Sequence, residues 1–125
     1  MTAWTHDELD RVGEADELSI AARNPDGGLS RSTIIWVVRA GNDLYVRSAH
    51  GRDNPWFVRA LATGTGRIDA DGFERDVAFE EEARPDVAAA VTAAFHAKYD
   101  HYGHETVDPV TSAESERATI RLVAR

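Results

Sequence analysis

The chain has 125 residues, no cysteine and a formal charge of -8 at pH 7 from 14 basic and 22 acidic side chains. This length suits a single domain spanning residues 1–125, and 42% hydrophobic residues fill a core without disulfides or cysteine-ligated metal. The acidic balance argues against a general nucleic-acid binder, and the longest apolar stretch, Thr33 to Val38, is far too short to cross a membrane. Asp7, Glu8 and Asp10 occupy the place where a signal peptide carries positive charge, so a cytoplasmic location is expected.

Thr5 followed by Glu8 has capping-box spacing and predicts a short helix, with Leu9 and Val12 on one face and a stop at Gly13. Glu17 to Arg23 reads as a first strand, and Asn24-Pro25-Asp26-Gly27-Gly28 turns the chain back into a second, Arg31 to Arg39. The run Ile34 to Val38 is apolar on both faces, as in a central strand or the wall of a closed barrel. Gly41-Asn42-Asp43 leads into a third strand, Leu44 to Ser48, with Leu44 and Val46 facing one way and Tyr45 and Arg47 the other.

Asn54 and Pro55 open a short amphipathic helix that carries Trp56, Phe57, Ala60 and Leu61 and ends at Gly64. Ala70-Asp71-Gly72 joins strands at Arg67 to Asp69 and Phe73 to Phe79, and the run Glu80 to Glu82 then reads as a solvated face. Asp86 after Pro85 caps a longer helix, whose stripe of Val87, Val91, Ala94, Phe95 and Tyr99 runs up to Gly103. Ala118 to Val123 is the last strand. Six strands joined mostly by tight turns predict a mainly β, α+β fold: an antiparallel barrel or strongly curled sheet with flanking helices.

The cations concentrate in mid-chain. From Ser30 to Arg67 six arginines (Arg31, Arg39, Arg47, Arg52, Arg59, Arg67) face only Asp43 and Asp53. Charges beyond a Debye length of about 8 Å are largely screened, so a small anionic ligand here would feel the local surplus rather than the net charge. The same arginines also suit the solvent side of strands, since thirteen of the fourteen cations are arginine.

Within this segment Arg47 and Ser48 end a strand, and His50-Gly51-Arg52 turns towards the helix that begins near Asn54. Glycine permits close backbone approach, helix amides aim positive charge, and arginine supplies a planar fork, the elements of a phosphate cradle. Trp36 reads as core or as a wall for a planar ring. Tyr99 and Tyr102 read as helix packing or the mouth of a site. His101, His104 and Glu105 have ligand chemistry without a third ligand at diagnostic spacing, and Ser48 with His50 lacks a nucleophile elbow, so neither metal nor hydrolase chemistry is expected.

The stretch STIIWVVRAGNDLYVRSAHGRDNPWFVRALATGTGRI resembles the central block of the split β-barrel flavin-binding superfamily, in particular its deazaflavin-dependent nitroreductase branch. Over nearly its whole length the chain is also similar to an uncharacterised bacterial family typified by WVVR, LYVRS, GRDNPWF and AKYDHYG. The resemblance implies a six-stranded antiparallel split β-barrel of the flavin-reductase, FMN-binding type, with a cofactor groove beside the second and third strands. It implies that Arg47, Ser48, His50, Gly51 and Arg52 face the phosphate or acidic tail of the cofactor, and that Trp56 and Arg59 close the site. Arg31 and Ser32 match a basic, glycine- and serine-containing segment of the nitroreductase branch, although that branch's longer glycine-rich lead-in is missing. Flavin oxidases of the superfamily often carry a lysine in the phosphate-binding segment, whereas Lys98 is the only lysine here.

The implied cofactor is therefore either the deazaflavin coenzyme or FMN. The implied activity is hydride transfer from that cofactor to a small organic acceptor, which requires no dedicated acid or base. The alternative is a non-catalytic barrel that binds a small anionic ligand or a protein partner. An FMN-type barrel further implies a homodimer with the cofactor at its interface, which the deazaflavin branch does not require.

Overall fold

The computed structural model describes residues 3–49 and 51–125, in which the alternating segments form one antiparallel sheet. Its seven strand segments are β1 (Leu18–Ala22), β2 (Thr33–Ile35), β3 (Val38–Ala40), β4 (Asp43–Arg47), β5 (Thr65–Ala70), β6 (Phe73–Glu81) and β7 (Thr119–Ala124). The spatial order is β2-β1-β5-β6-β7-β4-β3. Five helices flank the sheet: α1 (His6–Glu14), α2 (Pro55–Thr63), α3 (Pro85–Tyr99), α4 (His104–Thr111) and α5 (Ala113–Glu116).

The two outermost segments are consecutive in the chain. β2 pairs with β1, β3 pairs with β4, and only Trp36 and Val37 separate them, so one stretch reaches both edges and rolls the sheet into a split barrel. The sequence reads this stretch as a single strand from Arg31 to Arg39. It is broken in the middle, which turns six expected strands into seven segments. The stretch must leave one neighbour before it can meet the other, and α3 satisfies the backbone at the break. Val37 donates its N–H to the Tyr99 hydroxyl at 3.3 Å, and its carbonyl accepts from Lys98 Nζ at 2.6 Å.

Two apolar cores result. Ile20, Leu44, Ile68 and Leu122 fill the barrel, with Leu9 and Val12 of α1 and Trp56 and Phe57 of α2 packing into it. A second core lies between β3, β4 and the helices outside, built from Val38, Tyr45, Val91, Phe95, Tyr99 and Val107. Each fully buried large side chain contributes about 1.5–3 kcal/mol. The capping box of Thr5 and Glu8 forms as its spacing predicts, but α1 runs through Gly13 to Glu14. A Cβ on Gly13 would meet Arg39 Cβ at 3.0 Å, so glycine lets the helix lie close on β3.

Three further expectations change. The residues after Gly103 form α4 and α5, whose two buried apolar positions each at most, Val107 and Val110 in α4, are too few to show a helical stripe. Asn54 precedes α2 without a side-chain capping bond, and Arg84 rather than Asp86 occupies the cap position of α3. The acidic run is a solvated face only in part: Glu80 and Glu81 are exposed, and Glu82 is not. β6 continues through Glu80, paired with Arg121, and Glu81, paired with Arg52. Glu82 is buried, and its bonds with Arg84, 2.7 Å at the nearest, hold its carboxyl below the usual range. Among the described residues no helix is long and apolar enough to cross a membrane.

Candidate functional site

The break at Trp36 and Val37 leaves one edge of β2 without a strand partner and opens a cleft of about 350 Å³ beside it. Trp36 at the break, Arg47 at the end of β4, Asn54 and Trp56 at the start of α2, Thr33 on β2 and Thr106 on α4 contribute to its lining. This is the lower end of the size range of small-molecule pockets, about 300–1,000 Å³. No carboxylate lines the cleft, and Arg47 is its one cation among the described residues.

Arg47 is 2% exposed. Its Nε donates to Thr119 Oγ1 at 2.9 Å, Nη1 to Thr92 Oγ1 at 2.7 Å and to the Val110 carbonyl at 3.0 Å, and Nη2 to the Ala88 carbonyl at 2.8 Å. These bonds use four of the five N–H groups of a guanidinium, and the second N–H of Nη2 has no acceptor among the described residues. All four acceptors are neutral. Burial pulls the pKa down to about 10, with Glu116, behind the Thr92 hydroxyl, acting in the opposite direction. Arginine keeps its charge at neutral pH even so, and the cleft therefore has a buried cation without a carboxylate in contact.

The lining also has an aromatic part. Trp36 is half-buried and lies flat on Tyr99, with ring centroids 3.9 Å apart and planes 2° apart. Tyr102 stacks on the same indole at 5.7 Å, and both Tyr102 and Ile34 are exposed. Trp36 thus packs against the second core and also faces the cleft. Trp56 is buried edge-on to Phe57.

Of the residues that the resemblance implies for the cofactor, Arg47 and Trp56 meet in this cleft, together with Trp36. Ser48 is fully buried behind it, donating its N–H to the Ala118 carbonyl, and its Oγ has no partner among the described residues. Gly51 adopts φ 77°, where a Cβ would lie 2.8 Å from Glu114 Cγ, so the turn it begins is packed against α5. Arg52 points away, pairing with Glu81, donating to the Arg117 carbonyl at 2.8 Å and covering the Phe57 ring. Arg31 and Arg59 do not line the cleft, and Ser32 faces a separate groove with Arg67 and Asp69. His50 lies outside the described residues.

Thr33 lies within the stretch that carries the resemblance but is not distinguished there by type or spacing, and Thr106 belongs to no motif, so neither stands out in the sequence. Thr106 is on a helix that the apolar pattern did not reveal. Among the described residues no three metal-ligating side chains gather, and His101 packs on Tyr102 at 4.2 Å.

A broken second strand that closes a six-stranded antiparallel barrel, with helices across one wall, defines the split β-barrel class. Within it, the chain belongs to the family of uncharacterized proteins conserved in bacteria (DUF2255), whose family model matches residues 8–122. Solved structures share the fold at low identity. A conserved hypothetical protein of Mycobacterium tuberculosis is 16% identical with a TM-score of 0.67, the match covering 98% of this chain and 81% of that one. The heme storage protein HutZ of Vibrio cholerae is 12% identical with a TM-score of 0.67, covering 99% and 92%. An FAD-binding protein of Mesorhizobium loti is 15% identical with a TM-score of 0.50, also covering 99% and 92%. No curated protein matches the chain in sequence.

Proposed function

We propose that the cleft at the barrel split holds a flavin or deazaflavin coenzyme, and that the protein is an oxidoreductase passing hydride to a small organic acceptor. The observation that carries this reading is Arg47, a buried cation with one N–H unused among the described residues, at a cleft that Trp36 also lines and that no described carboxylate lines. A planar, anionic ligand answers each of these features. Fold neighbours named for binding FAD and storing heme support a planar redox group.

The residues present fit such a group. Trp36 offers an apolar plane for a ring. Arg47 offers charge and one donor, and Asn54, Thr33 and Thr106 offer neutral polar groups for its acceptor atoms. A flavin or deazaflavin supplies the hydride chemistry when bound. The protein binds and orients it, and the apolar walls limit access of water. From the sequence-derived set, Arg47 and Trp56 are the residues in this role, while Arg52 holds β6 and α5 in place.

Absorbance-monitored titration with FMN and with the deazaflavin coenzyme tests the reading. Saturable binding of one, followed by its reduction and reoxidation on the protein, is the expected result. Binding without turnover favours the second reading, a non-catalytic barrel for a small anionic ligand. If neither coenzyme binds, the assignment falls.

A further inference from the structure

Val37 lies between the last residue of β2 and the first of β3, so no neighbouring strand pairs with it. Two consecutive side chains of α3 pair with it instead. Lys98 Nζ donates to the Val37 carbonyl at 2.6 Å and to the Ala15 carbonyl, just after α1, at 2.5 Å. The Tyr99 hydroxyl accepts from Val37 N–H at 3.3 Å and donates to the Asp16 carbonyl at 2.7 Å, while its ring supports Trp36 face to face. A backbone carbonyl and N–H left unpaired at this depth would move to find partners, and Trp36 would move with them.

We infer that Lys98 and Tyr99 form a clamp that positions Trp36 as a wall of the cleft, so that ligand binding is controlled from α3. The inference rests on the cleft being the ligand site. Both are positioning residues, acting through Trp36 and Val37.

Lys98 also makes the clamp sensitive to protons. Burial holds its amine at about 8, with Asp16 and Glu14 on the α1 side acting in the opposite direction. Arg39 of β3, in the same groove, is held by Asp10 and the Gly41 carbonyl, and burial keeps the Tyr99 hydroxyl protonated above its ordinary range. The docked amine gives up its proton more readily than a free lysine. By linkage the docked clamp is therefore favoured as pH rises through about 8.

The test compares wild type with Lys98→Met, Lys98→Arg and Tyr99→Phe between pH 6.5 and 9.5. Two signals are read: the Trp36 fluorescence, isolated by difference from Trp36→Phe, and the affinity for FMN and for the deazaflavin coenzyme. In wild type the Trp36 signal and the affinity rise together as pH climbs above about 8. Lys98→Met and Tyr99→Phe should lower affinity at least about tenfold while keeping the wild-type circular dichroism spectrum. Lys98→Arg, whose fork reaches the carbonyls without titrating, should bind more tightly than Lys98→Met and show no rise with pH. A Trp36 signal unchanged in Lys98→Met and Tyr99→Phe overturns the clamp, and one that is flat with pH in wild type overturns its proton control. If the Trp36 signal behaves as stated but neither coenzyme binds, the clamp stands on Trp36 and the cofactor assignment falls.

Discussion

The guanidinium of Arg47 meets the hydroxyl of Thr92 at 2.7 Å, joining the last residue of β4 to the middle of α3. The same side chain reaches the carbonyls of Ala88 and Val110, so α3 and α4 both rest on one buried cation. An arginine that looked like a ligand contact in the sequence is therefore also a structural strut.

Replacing Arg47 by methionine keeps the volume and removes every donor. Each buried acceptor left alone costs about 1–3 kcal/mol, and relief of the buried charge offsets part of that. Arg47→Met should destabilise the fold by about 2–4 kcal/mol, read as a lower urea midpoint. An unchanged midpoint would mean that the helices are held otherwise.

Arginines outside the cleft should matter little to ligand affinity. Arg31→Ala and Arg59→Ala are expected to bind the coenzyme within about twofold of wild type, because neither arginine lines the cleft and charges at a distance are screened. Asn54→Ala, inside the cleft, should weaken it by roughly tenfold, the equivalent of one hydrogen bond. Titration of the three variants separates these cases, and a large loss in Arg31→Ala or Arg59→Ala would move the anionic end of the ligand elsewhere.

Gly66 packs where no side chain fits. A Cβ there would lie 2.7 Å from Phe79 Cζ and collide with the Ala21 carbonyl of the paired strand. Overpacking costs typically 1–3 kcal/mol, and a backbone atom yields less than a side chain. Gly66→Ala should lose at least about 2 kcal/mol, and adding Phe79→Leu should not restore it, because the carbonyl is still in place. Full rescue in the double variant would place the strain on the ring alone.

Stability should rise with pH between about 8 and 10. Lys98 titrates at about 8 when folded and at 10.5 when unfolded, so in this window the unfolded chain binds the extra proton. Above about 10 the trend becomes mixed: burial raises the Tyr99 and Tyr45 hydroxyls, which opposes the rise, whereas Arg47 acts in its favour. Urea midpoints measured at pH 7.5, 8.5 and 9.5 should increase in wild type and stay level in Lys98→Met. A wild-type midpoint that falls over this range contradicts the assignment.

Much of the fold was legible because it follows local rules. The hairpin turns at Gly41-Asn42-Asp43 and Ala70-Asp71-Gly72, and the alternation of Tyr45 and Arg47 against Leu44 and Val46, each depend on a few neighbouring residues. The strand break was not, because Ile34 to Val38 is uniformly apolar and the partners of Val37 lie about sixty residues away in α3. The site was legible in part for the same reason. Arg47 and Trp56 stood out by type and spacing, but nothing local shows that Arg52 pairs with Glu81 or that Thr106 and Trp36 line one cleft.

The most direct test of the central claim fills the cleft. Thr106 is exposed on α4 and lines the cleft, so Thr106→Trp adds an indole at its wall. Calorimetric titration of wild type and this variant with FMN and with the deazaflavin coenzyme should show saturable binding of one coenzyme to wild type. In Thr106→Trp that affinity should fall by at least about tenfold, with the melting temperature within a few degrees of wild type. Equal binding by the two proteins would place the ligand outside the cleft, and no binding of either coenzyme to wild type would contradict the account.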